Sequence, residues 1–261
     1  MIITTSNKPS LHAVNQATRL AEELPARYMN RRNLSLKQLL GRAQTKQMFV
    51  VTEQELRYYE ENAESPMFFH PSMAYVRVKR LRRGDADPMI ELSGCSPGDS
   101  VIDCTAGLGS DALVFSYAAG PSGQVTAIES EQVVFTLVRE GLQQYQTDLE
   151  DVNEAMRRIT MRCEHHESYL RSLPDKSVDI VYFDPMFREP IQQSSSIEPL
   201  RAMANHRPLD PSSVEQAMRV ARKSILLKEH RDSGEFQRLG FERRHVNTSK
   251  IAYGVIKLDH A

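Results

Sequence analysis

Residues 101–112 read Val-Ile-Asp-Cys-Thr-Ala-Gly-Leu-Gly-Ser-Asp-Ala, an apolar entry followed by an acid and two closely spaced glycines. Gly107 and Gly109 suit a tight turn whose backbone approaches a ligand closely, and a helix beginning there would aim unpaired N–H groups at it. This is chemistry for a nucleotide. The glycines leave the cofactor open, because 107–112 also satisfies the dinucleotide fingerprint, which tolerates Ala at its last place. Asp103, four residues before Gly107, either faces the cofactor or accepts local N–H groups as a turn residue. Glu129 ends a second apolar run at 124–128, where an acid accepts both ribose hydroxyls or caps the helix expected over 133–138. A further run, 178–183, leads directly into Asp184-Pro185-Met186-Phe187. If these runs are parallel strands, Asp184 is delivered to the carboxyl edge of the sheet, where ligands of open α/β sheets bind.

The distance from Asp103 to the glycine turn resembles that of class I S-adenosylmethionine methyltransferases, in which the acid lies near the methionine end of the cofactor. Residues 184–187 resemble the Asp/Asn-Pro-Pro-aromatic motif of methyltransferases that modify exocyclic amines of adenine, guanine or glutamine, with Met186 in place of the second proline. Such an amine shares its lone pair with the ring and is a poor nucleophile. The Asp184 carboxylate and the Pro185 carbonyl can each accept one N–H, leaving the lone pair aimed at the methyl donor. Phe187 then either stacks on an unpaired or flipped base or belongs to the core.

The remaining chemistry lies on loops. After a third strand at 159–163, His166, Glu167 and Ser168 are the candidates for the adenine edge. Cys163, His165 and His166 invite a metal reading, but consecutive histidines on one loop do not converge on a tetrahedral ion, so no metal is expected. Residues 188–199, with Gln192, Gln193 and three serines, form a mobile cover over the substrate or a surface connection. Asp210 and Pro211 announce a helix over 214–222. A fifth strand at 224–227 ends at Lys228, which either touches substrate phosphate or stays solvated.

These residues need a doubly wound, mostly parallel sheet, and the strand–helix alternation from residue 96 onward predicts one. Segments 241–246 and 251–258 read as a C-terminal antiparallel hairpin, as in class I methyltransferases and unlike the parallel continuation of dinucleotide dehydrogenases. Ahead of them lies a small α/β region, 1–90, and the catalytic domain is expected at 91–261. In the first region the pattern predicts strands at 2–5 and 48–51, a helix at 9–24, a polar helix at 53–61 and extended structure at 67–78. Residues 1–90 carry 14 Lys and Arg against 9 Asp and Glu, whereas 91–261 carry 19 against 25. Much of the excess sits in Arg77, Lys79, Arg80, Arg82 and Arg83, which either neutralise phosphates or form a solvated edge. Cys95, Cys104 and Cys163 are odd in number and lack a C-x-x-C pair, which suits reduced thiols. No apolar run approaches a bilayer span and no signal-peptide pattern opens the chain, so a cytoplasmic location is expected.

Together, residues 103–112 and 182–187, the cationic stretch through Arg83 and the Leu226-Leu227-Lys228 string resemble the bacterial small-subunit (16S) ribosomal RNA guanine-N2-methyltransferase J family over roughly residues 67 to 258. The resemblance implies transfer of a methyl group from S-adenosylmethionine to guanine N2 in ribosomal RNA, free or within the small subunit. It implies catalytic roles for Asp184, Pro185 and Phe187, and cofactor contacts from Asp103, Thr105, Ala106, Gly107, Gly109, Asp111, Glu129, Ser130, Glu167 and Ser168. Arg80, Arg82, Arg83 and Lys228 are the expected substrate contacts. Here the segment before the cofactor domain is Arg-rich without the family's glycines, and the segment after residue 187 is rich in Gln and Ser rather than Lys. A methyltransferase of protein or small-molecule amines, a nicotinamide oxidoreductase and a non-catalytic RNA-binding module are the alternatives.

Overall fold

In the computed structural model, residues 1–60, 65–185, 208–245 and 249–258 are described. Met186, Phe187 and the 188–199 segment therefore lie outside the described residues, as do Asn247 and Thr248 of the hairpin connection. The chain divides into two units, Met1–His70 with Thr136–Gln146, and Pro71–Phe135 with Thr147–Ala261.

Among the described residues, the first unit forms a five-stranded sheet in the order β2-β1-β3-β4-β5. Its strands are β1 (Ile2–Thr5), β2 (Arg27–Tyr28), β3 (Gln47–Val51), β4 (Leu56–Glu60) and β5 (Met67–Phe68). β1 runs parallel to β2 and β3, and β4 and β5 follow antiparallel. Helix α1 (Leu11–Glu23) begins at Ser10, whose hydroxyl accepts the Ala13 N–H, and buries Ala13, Ala17 and Leu20 at helical spacing. Helix α2 (Leu36–Ala43) begins with a capping box between Ser35 and Gln38 and packs Leu39 and Leu40 against Ile2, Met48 and Val50. Over its described residues, 53–60, the polar helix expected at 53–61 is instead a turn and a strand. Thr52 Oγ1 accepts the N–H groups of Gln54 and Glu55, so the acids mark a hairpin turn, and Leu56, Tyr58 and Tyr59 enter the core beyond it.

In the second unit the described residues form a seven-stranded sheet, ordered β11-β12-β10-β9-β6-β7-β8. These are β6 (Ser100–Asp103), β7 (Gln124–Glu129), β8 (Ile159–Cys163), β9 (Val178–Phe183), β10 (Ala221–His230), β11 (Glu242–His245) and β12 (Ile251–Lys257). β6 to β10 are mutually parallel, and β12 inserts antiparallel between β10 and β11, as the sequence predicts. Parallel strands are covered on both faces, which is why they read as near-continuous aliphatic runs. Ile102, Ile128, Val181, Phe183, Ile225 and Leu227 form one buried cluster. β10 is longer than the expected 224–227 strand, so Lys228 lies within it rather than at its end.

The units divide at His70/Pro71 rather than near residue 90. The extended structure expected at 67–78 stops at Phe68, and Ser72–Arg82 is helix α3, burying Ala74 and Val78 one turn apart. Its Arg77 joins Asp87 and Asp111, which ties this helix to the rest of the second unit. The described helices that follow are α4 (Pro88–Ser93), α5 (Ser110–Ala119), α6 (Gln132–Gln144), α7 (Glu150–Arg158), α8 (His166–Ser172), α9 (Pro211–Val220) and the short α10 (Glu235–Arg238). The first unit takes Thr136–Gln146, where Glu140 accepts from Gln16 Nε2 at 2.9 Å and Arg19 Nη2 at 2.6 Å. Among the described residues no helix is long and apolar enough to cross a membrane.

Candidate active site

β6 ends at Asp103, and the chain then turns through Gly107 (φ 49°) and Gly109 (φ 74°) into α5. Both glycines occupy the left-handed region, where an L side chain is strained, so the Gly-x-Gly pattern is a backbone requirement of this turn. The turn is pinned to β7: the Ala106 N–H donates to Ile128 O at 2.9 Å and the Gly107 N–H to Glu129 Oε2 at 3.1 Å. Glu129 also accepts the Glu131 N–H at 2.8 Å, which fixes its carboxylate beside the glycines. Burial pushes the Glu129 carboxyl above its ordinary range, against the N–H groups that favour the charged form.

Thr105 joins the two motifs. Its N–H donates to Asp103 Oδ1 at 3.0 Å, and its hydroxyl accepts the Asp184 N–H at 2.6 Å. The end of β6 and the end of β9 are thereby held side by side, with Asp103 and Asp184 on one edge.

Carboxylates outnumber the cations that serve them at this edge. Asp111 accepts from Lys228 Nζ at 2.9 Å, from the Tyr182 hydroxyl at 2.7 Å and from Arg77, while Lys228 Nζ also donates to Asp184 Oδ2 at 2.6 Å. Burial works to raise Asp111, but the two adjacent cations prevail and hold it well below the usual carboxylate range. Asp184 is pushed up to about 6 by burial, with Lys228 opposing the rise and Asp111 adding to it. Asp103, only 1% exposed, is pushed up to about 8 by burial and then by Asp111. Such an edge stabilises an added positive charge. It opposes an anionic pyrophosphate, which the same turn would bring against Asp103 and Glu129.

A cavity of about 270 Å³ opens at this edge. Of the residues expected from sequence, Thr105, Gly107, Glu129, Ser130, Asp184 and Pro185 line it, and Glu167 does so from α8. Asp103, Ala106, Gly109, Asp111 and Ser168 do not reach its wall. Lys228, expected either to touch substrate phosphate or to stay solvated, is half-buried, its ammonium 2.9 Å from Asp111 and 2.6 Å from Asp184. Three of the five cations in the 77–83 stretch lie beside acids. Arg77 forks onto Asp87, Arg82 pairs with Asp151 at 2.9 Å and Arg80 lies 3.7 Å from Asp85, while Arg83 caps α3, and none of them lines the cavity.

Sequence reasoning passed over several wall residues. Leu209 and Ser213 come from the start of α9, and Glu131 and Val134 from the segment after Glu129. His166 Nε2 lies 3.2 Å from Ser213 Oγ and its ring meets Phe183 edge-on, and burial lowers its pKa to about 4, so the imidazole is neutral at pH 7. The Asp210–Pro211 helix start was the available signal for this wall. Among the described residues, no group of three or more His, Cys, Asp or Glu side chains is arranged to hold a metal.

A family model described as "Putative SAM-dependent methyltransferase" matches residues 31–233. "Uncharacterized protein YpiP" of Bacillus subtilis is 41% identical over 98% of this chain and 99% of its own length. "Ribosomal RNA small subunit methyltransferase J" of Hahella chejuensis is 29% identical over 77% of this chain and 76% of that protein. Its namesake in Acinetobacter baumannii (strain SDF) is 32% identical over 46% of this chain, which spans less than half (43%) of that relative. Among solved structures, that of NGO1261 from Neisseria gonorrhoeae, described as a SAM-dependent methyltransferase, superposes with a TM-score of 0.67 at 15% identity and covers both chains completely, a likeness of fold.

Proposed function

We propose that this chain, which belongs to the SAM-dependent methyltransferase family, methylates an exocyclic base amine in RNA, and that its target is guanine N2 of small-subunit ribosomal RNA. The observation that carries this reading is the position of Asp184-Pro185: the pair follows β9, is tied through Thr105 to the cofactor turn, and lines the same cavity as Glu129. The names of the Hahella and Acinetobacter relatives support the RNA substrate.

S-adenosylmethionine supplies an electrophilic methyl group on a sulfonium. The residues present suit a cationic cofactor, since the buried Asp103 carboxyl stands at the turn and makes no ion pair with the described residues. In this reading Glu129 accepts the ribose hydroxyls, Gly107 and Gly109 let the backbone approach, and Glu167 and His166 border the adenine. The Asp184 carboxylate and Pro185 carbonyl accept the two amine N–H groups and orient the lone pair. With the C–N bond formed and the methyl–sulfur bond broken, its electron pair left on a neutral thioether, one amine proton would pass to the Asp184 carboxylate or to water, and Lys228 keeps that carboxylate oriented. Asp103 and Asp111 act from behind the wall, Asp111 by holding Lys228. Phe187, the remaining residue expected to be catalytic, lies outside the described residues.

The decisive experiment is transfer of labelled methyl to purified small-subunit ribosomal RNA and to intact small subunits, followed by digestion to nucleosides. Label in N2-methylguanosine is the expected result. Label in another nucleoside would move the target atom, and cofactor binding without RNA labelling would remove the substrate class.

Glu129→Ala should weaken S-adenosylmethionine binding by roughly 10- to 100-fold, the range for losing hydrogen bonds to a charged acceptor. Isothermal titration measures this directly. An unchanged affinity would place the ribose elsewhere.

A further inference from the structure

We propose that the first unit carries its own RNA-docking surface, built from Arg27, Arg31, Arg32 and Arg42. The proposal rests on the reading of RNA as substrate and locates where that substrate is held. Residues 24–52 contain six Lys and Arg and no Asp or Glu. This stretch forms β2, the loop after it, α2 and β3.

Each part of the fold turns these cations outward. α2 buries Leu39 and Leu40 against the sheet, so its residues 37, 38, 41 and 42 face solvent. Arg27 sits exposed on the edge strand, and Arg32 and Arg42 are exposed, with Arg31 half-buried. The loop that presents Arg31 and Arg32 is fixed rather than trailing. The Met29 N–H donates to Ile3 O at 2.8 Å, Thr4 Oγ1 donates to Met29 O at 2.7 Å, and Arg31 Nε donates to Leu34 O at 3.1 Å. Arg32 and Asn33 both hold positive φ, 44° and 62°, a conformation Asn adopts readily in turns and Arg rarely.

Four of the six described acids of this unit are engaged elsewhere. Glu23 and Glu140 take Arg19 and Arg139, Glu53 takes Ser10, and Glu55 takes Arg57. Among the described residues, none of the four arginines has a carboxylate partner. The contrast with Arg77, Arg80 and Arg82, each beside an acid, is direct. Four guanidinium forks without carboxylates suit the phosphates of a polyanion. Among the described residues the large exposed hydrophobic side chains are Leu11, Phe68, Met73, Val76 and Met218, and none falls within 24–52. The patch thus lacks the apolar residues that seat a basic surface in a membrane.

The test compares the full chain with a variant carrying R27Q, R31Q, R32Q and R42Q, using in vitro transcribed small-subunit ribosomal RNA as the probe. Filter binding from about 50 to 300 mM KCl should show at least a tenfold loss of affinity and a log–log salt slope shallower by about 3, near 0.7 per lost phosphate contact. S-adenosylmethionine binding should stay within about twofold, which checks folding. The triple variant R27Q/R32Q/R42Q, sparing the Arg31–Leu34 bond, should show most of the effect, and an all-lysine variant should keep the slope. Unchanged affinity and slope in folded variants would overturn the surface, even where the wild type methylates RNA. Loss of RNA binding in the variant, with no methyl transfer to RNA by the wild type, would uphold the surface and sink the substrate reading instead.

Discussion

Asp184→Ala should lower methyl transfer by roughly 10²–10⁴-fold while leaving S-adenosylmethionine affinity within about tenfold of wild type. The reasoning starts from the amine, whose lone pair is delocalised into the base, so catalysis depends on holding it rather than on a stronger nucleophile. Asp184 is tethered at two points, its N–H donating to Thr105 Oγ1 and one carboxylate oxygen accepting from Lys228 Nζ. Alanine removes the acceptor and leaves Lys228 with Asp111 alone. Asp184→Asn keeps one acceptor oxygen and should retain more activity than Ala.

The pH profile separates the chemical role from a structural one. The carboxylate accepts the N–H more strongly than a neutral oxygen and is the only form that can take the released proton, and Asp184 is pushed up to about 6. For a single carboxyl, kcat/KM should therefore fall about tenfold per pH unit below 6 and level off above it. Binding the cationic cofactor favours the charged carboxylate, so the acid limb of kcat should lie at lower pH than that of kcat/KM. In Asp184→Asn the limb at about 6 should vanish. A wild-type acid limb that survives in this variant would transfer the role to another group.

The parts of the site that could be read from sequence are those where one segment both enters the core and ends in a functional group. β6, β7 and β9 are aliphatic because parallel strands are covered on both faces, and each ends in an acid, at Asp103, Glu129 or just beyond at Asp184. The glycine turn is legible for the same local reason, since its positive φ values demand Gly. Pairing across distance leaves no such mark. Lys228 lies 117 residues from Asp111 and 44 from Asp184, so nothing nearby in sequence distinguishes it from a solvated lysine. The segments 53–61 and 67–78 mislead in a related way: Glu53 and Glu55 of the polar run belong to a hairpin turn, and Ala74 and Val78 define a helix within a β-rich composition. The unit boundary moved because Arg77 bonds forward to Asp87 and Asp111, whereas 136–146 returns to the first unit.

Arg77→Met should be the most destabilising of these single substitutions, costing about 3–5 kcal/mol, the range for breaking a buried ion pair by removing one partner. Arg77 grips Asp87 with two bonds, Nε to Oδ2 at 2.8 Å and Nη2 to Oδ1 at 2.9 Å, and reaches Asp111 with its remaining Nη. Both acids are only 7% exposed. Without Arg77, Asp111 keeps Lys228 and Tyr182, but Asp87 keeps only the Met89 N–H it receives as the cap of α4. The cost should therefore fall mainly on a stranded Asp87 carboxylate. For a unit of this size it corresponds to a Tm lowered by roughly 6–20 °C, measurable by thermal denaturation. Arg77→Lys keeps the charge but cannot span both carboxylates with a planar fork, and should fall between wild type and Met. Adding Asp87→Asn to Arg77→Met should recover part of the loss, because the neutral amide no longer needs a cation. A double variant no more stable than Arg77→Met would place the penalty on Asp111 instead, and an Arg77→Met protein within about 1 kcal/mol of wild type, a shift of roughly 2–4 °C, would show that the network contributes geometry rather than stability.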